Sequence, residues 1–173
     1  MSPITDTEFN KKMQVGQFVR RKHKGFIALL YYSAVRKSEA LRSTKEQFKI
    51  LEDRVIFDVG KRLKHGIHTP PLNIPINASY ANEIVWSVVN TKPKKIVWPY
   101  SKKTAYNIVH RVFDAYPHYF RLNRITKFFD AGWTIAQVRT WTGLSLKALD
   151  FYVGLVDVKK MGESLGMTEK TIS

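Results

Sequence analysis

The chain has 173 residues, 44% hydrophobic and 13% aromatic, which is enough for one compact domain with a genuine core. It contains no cysteine, so disulfides, thiolate metal sites and cysteine nucleophiles are excluded. Lys and Arg number 29 against 14 Asp and Glu, a formal net charge of +15 whose field attracts a polyanion, with nucleic acid the first candidate. The longest apolar run, Phe26 to Val35, is interrupted by Ser33 and is too short to span a bilayer. No basic face opposes a lipid-facing Trp/Leu face, so no membrane partner is expected.

Residues 8–42 read as helical, with Phe9, Met13, Phe18, Phe26, Leu29, Leu30 and Tyr31 near the helix period and Gly16 and Gly25 as breaks. Arg20-Arg21-Lys22-His23-Lys24 is a basic cluster at a helix end, solvated or placed against phosphates. Three short strands follow at 48–51, 54–59 and 72–76, and Pro70, Pro71 and Pro75 predict that the third lies at an edge. Between the second and third is a glycine-bounded basic turn, Gly60 to Gly66. Helices return at 78–90, from a Ser101 cap to Tyr116, at 118–131 after Pro117, at 134–140 and at 146–155. Trp86, Trp98 and Trp133 are expected in the core. The order of helices, small sheet and helices predicts an α+β fold.

Four segments carry chemistry-bearing residues in order. Tyr31 to Leu41 contains Ala34-Val35-Arg36 and then Glu39, Lys61 follows Gly60, and His118-Tyr119-Phe120-Arg121 leads into Phe128-Phe129-Asp130-Ala131-Gly132. Thr142-Gly143-Leu144-Ser145 precedes Ala148-Leu149-Asp150-Phe151-Tyr152. From about Lys24 to Gly154 this set resembles the tyrosine recombinases (integrases). Their first box holds a glycine-leucine-arginine turn, their second is H-x-x-R, and their last carries the tyrosine nucleophile. The resemblance implies a mostly helical catalytic domain with a small three-stranded antiparallel sheet, spanning 1–155, with 156–173 as a tail. It also implies double-stranded DNA as partner, a homo-oligomer (dimer to tetramer) on DNA, no cofactor and no metal. The location implied is cytoplasmic and nucleoid-associated, in the style of archaeal viral and plasmid integrases. Nothing resembles the family's N-terminal DNA-gripping domain.

Opening a phosphodiester needs a nucleophile, charge neutralisation on the nonbridging oxygens and a proton for the leaving oxygen. Arginine suits the second task because its planar fork grips two phosphate oxygens. Arg36 and Arg121 are assigned to that clamp, with His118 as a third donor or a proton acceptor. Tyr152 attacks and forms a 3′-phosphotyrosine, which stores the bond energy for rejoining. The resemblance implies Lys61 as general acid, with Lys64 as substitute, while Glu39 orients Arg36. Arg36→Ala and Arg121→Ala are expected to abolish cleavage and leave the fold intact.

One position departs from the pattern. Where the family usually has a histidine, this chain has Leu144, which cannot bond a phosphate; Trp141 is the candidate replacement donor and Arg139 a weaker one. His65 and His68 lie in a Gly- and Pro-rich stretch without an acid pair, a poor metal site. Two other readings stay open. Residues 133–152 or 161–173 can form a helix-turn-helix of a non-enzymatic DNA-binding regulator. A type IB-like topoisomerase would share the clamp and the tyrosine link.

Overall fold

The computed structural model describes residues 3–15, 19–62 and 67–150, with the short strands beside 63–66 described as backbone only. Tyr152 and the expected tail, 156–173, lie outside the described residues, as do Gly16, Lys64 and His65. The elements run α1 (Asp6–Val15), α2 (Arg21–Ser33), α3 (Lys37–Leu41), β1 (Phe48–Ile50), β2 (Arg54–Phe57), β3 (Lys61–Arg62), β4 (Ile67–His68) and β5 (Leu72–Pro75). They continue with α4 (Ala81–Val89), α5 (Lys102–Phe113), α6 (Pro117–Asp130) and α7 (Ile135–Thr142), and residues 146–150 are again helical. The α+β expectation holds, with helices predominating.

α2 is the axis of the molecule. Phe26, Ile27, Ala28, Leu29, Leu30 and Tyr31 are each at most 1% exposed, so the helix is apolar on every side and is surrounded rather than half-immersed. That is how the longest apolar run is used; among the described residues no helix is long and apolar enough to cross a membrane. Gly25 is not the break its residue type suggested. It lies inside α2, where an added Cβ would stand 2.5 Å from the Glu83 carbonyl oxygen and 2.6 Å from Ser87 Oγ, so glycine permits the close crossing of α4.

α1 is pinned on α2 by Phe9, whose ring stacks on Tyr31 at 3.8 Å. The Tyr31 hydroxyl donates to Asp6 and accepts from Lys127 Nζ at 2.7 Å, which ties α1, α2 and α6 together. Burial, followed by the Asp6 carboxylate, pushes the Tyr31 hydroxyl far above its ordinary range.

The sheet has order β1-β2-β5, all antiparallel. β5 is at an edge, as its prolines predicted, and Pro75 pairs with Arg54 at the strand end. Val55 and Phe57 of β2, Leu72 and Ile74 of β5, and Phe48 of β1 point inward, and Phe48 stacks on its paired Phe57 at 4.5 Å. The basic turn is more ordered at its base than expected. β3 and β4 form a separate two-stranded ladder in which Lys61 pairs with His68.

The later helices begin and end on recognisable residues. Ser101 Oγ accepts the Thr104 N–H at 3.1 Å, but α5 ends at Phe113, three residues before Tyr116, with Asp114 as its cap at φ 51°. Pro117 opens α6, and Gly132 follows it at φ 88°. Thr134 and Gln137 cap α7 reciprocally, and the helix runs two residues past Thr140 to the left-handed Gly143.

Of the three tryptophans expected inside, only Trp98 is, at 0% exposure. Trp86 is half-buried beneath the Arg21 guanidinium, 4.9 Å from its ring, and Trp133 is half-buried against Phe128 at 4.0 Å. Large aromatics at α4 and α7 thus cover the margins of the core rather than its centre. A second apolar cluster, Ala34, Ile125, Phe128, Phe129, Val138 and Leu149, seats α7 and the 146–150 helix against α6.

Candidate active site

The seam between the two apolar clusters is the C-terminal end of α2. Val35 packs into the main cluster and Ala34 into the second, so the short turn between them is held from both sides. Ala34 caps α2 with φ 58°, a left-handed conformation that glycine takes without strain and that costs an L-residue about 1–2 kcal/mol. Three side chains satisfy the carbonyls that α2 leaves open here. Arg124 Nε donates to Tyr31 O at 2.8 Å, the Trp141 indole to Ser33 O at 2.7 Å, and Arg121 to Ala34 O at 2.5 Å.

Arg36 follows that turn. It is the N-cap of α3, in extended conformation, and its backbone N–H donates to Glu39 Oε1 at 2.7 Å. Glu39 thus holds the backbone of Arg36. The Arg36 guanidinium is half exposed, and among the described residues no carboxylate forms an ion pair with it.

Arg121 is 2% exposed and forks between two helix ends, reaching Ala34 O and, through its other terminal nitrogen at 3.0 Å, Thr142 O. His118 is three residues earlier on α6, in its first turn, with an exposed edge. Its imidazole is held below the usual histidine range, first by desolvation and then by the positive charges of Arg121, Arg36 and Lys37. Arg36, far away in sequence, is thus brought near His118 and Arg121 of α6, and the imidazole is kept neutral near pH 7. A concentration of positive charge with a neutral ring at its edge is suited to a phosphate.

The other expected members belong to other elements. Lys61 has its backbone at the start of the β3–β4 ladder, and its side chain lies outside the described residues, as does all of Lys64. Trp141, considered as a phosphate donor, spends its indole N–H on Ser33 O, so its placement here is that of a tether. Leu144 is half-buried against the second apolar cluster. Asp150, at the end of the described residues, is two positions before Tyr152.

Sequence reading overlooked Arg124 and Lys37. Arg124 lies one helical turn after Arg121 and also stacks its guanidinium over Tyr31 at 4.6 Å; that spacing was the available signal. Lys37 is adjacent to Arg36 and adds to the charge felt by His118.

No protein-family model matches the chain, and no curated protein matches it in sequence. Its fold does match solved structures. XerH site-specific recombinase bound to a palindromic difH substrate, a post-cleavage complex, aligns with TM-score 0.72 and 15% identity over 95% of this chain and 51% of that one. The pre-cleavage complex of XerH with difH gives 0.67 and 15% over 86% and 48%. The Tn1549 transposon integrase with circular intermediate DNA gives 0.61 and 17% over 87% and 60%. The chain spans between 48% and 60% of the length of these proteins. At such identity the likeness establishes the fold, which is that of a tyrosine recombinase catalytic domain.

Proposed function

We propose that this chain is the catalytic part of a site-specific DNA recombinase, an integrase that cuts and rejoins duplex DNA through a 3′-phosphotyrosine at Tyr152. The observation that carries the reading is the convergence of Arg36, Arg121 and His118 at the end of α2, in the fold described above. Arg36 and Arg121 neutralise the nonbridging oxygens, which matters most as charge builds in the transition state. Tyr152 Oη attacks phosphorus, its proton passes to the neutral His118, and the bond from phosphorus to the 5′ oxygen breaks. Lys61 supplies the proton that this oxygen takes up. Rejoining reverses each transfer, so no external energy source is required.

The partners follow from the same reading: double-stranded DNA, and a second to fourth copy of the chain on it. Its setting is the movement or integration of a DNA element. The test is covalent trapping on a nicked duplex. After denaturation a DNA-linked band is expected from the wild-type chain and none from Tyr152→Phe; a wild-type chain that binds DNA and yields no band would sink the proposal. Trapping accompanied by relaxation of supercoils, without strand exchange between duplexes, would assign the same chemistry to a type IB-like topoisomerase.

A further inference from the structure

The basic cluster at the start of α2 has no part in the cleavage chemistry. Arg20 caps α2, and Arg21, Lys22 and Lys24 follow with His23 between them, while the first turn holds no acid. Cations at a helix N-terminus oppose its dipole and cost about 0.3–1 kcal/mol each, so this is a place where local stability is given up. Arg21 is accounted for: it pairs with Glu83 at 2.7 Å and covers Trp86.

Lys24 lies over the Tyr80 ring at 5.8 Å, and His23 lines a cleft. Between the start of α2 and the outer face of α5 is a cavity of about 190 Å³ lined by Val19, His23, Thr104, Asn107, Ile108 and Arg111. Its lining contains two hydrogen-bonding side chains, a histidine and an arginine, and no acid. Thr104 already accepts from Ser101 Oγ at 2.9 Å, so its own proton is available to point outward. The charges of Arg20, Arg111 and Lys22 all bear on the His23 imidazole, and among the described residues none of the three is in an ion pair. The adjoining groove between α1 and α5 brings one carboxylate, Glu8, to the far side of Arg111, but with Lys11 and Lys12 beside it. The balance stays positive.

We infer that this cleft is a second phosphate-binding site, which takes a backbone phosphate of the bound duplex away from the cleavage site. A cavity of this size lined by an arginine, a histidine, a hydroxyl and an amide, with the charges of Arg20 and Lys22 bearing on the histidine, matches a tetrahedral anion with several acceptor oxygens. α2 separates it from Arg36 by thirteen residues, on the order of 20 Å of helix, so one rigid element spaces the two phosphate contacts. Assignment to the duplex, rather than to free phosphate, rests on the function proposed above.

The test is the double variant Arg20→Gln/Arg111→Gln, in which both side chains are exposed. Binding of a duplex of arbitrary sequence is followed between about 50 and 200 mM salt, together with amide resonances of Thr104 and Asn107. The slope of log K against log salt is expected to become shallower by roughly 1 unit in the variant, for the one phosphate lost. The two amides should shift in the wild type when DNA is added. A parallel titration with inorganic phosphate separates the sources: shifts with DNA alone support a backbone site, and shifts with both support a phosphate site open to either. An unchanged slope with unmoved amides, while the wild type binds DNA, overturns the inference. The Tyr152-dependent band should persist in the variant at low salt, so loss of the band in the wild type marks failure of the proposed function instead. Were the wild type not to bind DNA at all, the inorganic phosphate titration alone would decide the cleft, and unmoved amides would reject it.

Discussion

Replacing Arg121 by alanine would remove the donor from two carbonyls, those of Ala34 and Thr142, in residues that are both 0% exposed. Each buried acceptor left without a partner costs about 1–3 kcal/mol, so a loss of roughly 3 kcal/mol is expected, visible as a drop in melting temperature of about 6–12 °C. The expectation that Arg121→Ala spares the fold is therefore revised: the buried guanidinium joins α2 to α7, apart from the role in cleavage proposed for it. Arg121→Lys, which keeps the charge but not the planar fork, separates the two roles better. It should lower DNA cleavage by about 10²–10³-fold with a smaller effect on melting. Arg36→Ala, at a half-exposed position, should lose cleavage with a melting temperature close to wild type; a large fall there would argue that Arg36 is structural.

The two depressed histidines set a pH dependence. His118 and His23 both lie below their ordinary value of 6.5, through desolvation and neighbouring cations. Between that value and their folded-state values the unfolded chain binds more protons, so stability rises with pH in that window. It is fully present above pH 6.5 and is lost as pH falls below it, before the carboxylates of Asp6 and Glu8, which are held below their usual range, begin to protonate. Urea unfolding from pH 7.5 down to 5 should show this decline, and His23→Gln/His118→Gln should flatten it; an unflattened curve would refute the assignment.

At the scale of elements, the closest helix crossing is the most sensitive point. Gly25→Ala would drive a methyl group to 2.5 Å from the Glu83 carbonyl oxygen, a backbone atom that cannot swing aside. α2 and α4 must then separate, and a cost of about 1–3 kcal/mol is expected in denaturant unfolding; a neutral result would mean that the two helices slide freely. Much of this organisation was legible because local chemistry and tertiary role agree. Ser101, Pro117, Thr134, Gly132 and Gly143 start or stop helices where such residues do so in isolation. Gly25 was misread because its reason is a contact with a helix some sixty positions away. The same holds for Trp86 and Trp133, whose half-burial depends on what α2 and α6 put beside them. The β3–β4 ladder is two residues long on each side, too short to leave a pattern.

Across the whole molecule, the candidate site was legible as a list of residues but not as a geometry. Arg36, His118 and Arg121 were found by motif, and nothing in the spacing of the sequence says that a buried arginine fork and an indole would close the end of α2 beneath them. Basic side chains gather at both ends of α2, Arg36, Lys37 and Arg121 around His118 and Arg20, Lys22 and Arg111 around His23. Both ends act on the same polyanion in the proposed function, the C-terminal end on the phosphate to be cut and the N-terminal end on a phosphate of the flanking duplex.

The central claim is that Tyr152 becomes joined to DNA beside the Arg36–His118–Arg121 cluster. The most direct measurement is peptide mapping by mass spectrometry of the DNA-linked product from a nicked duplex. A phosphotyrosine linkage at Tyr152 is the expected result. Linkage at Tyr116 or Tyr119, the tyrosines that flank His118, or a complete absence of linked peptide would contradict the account.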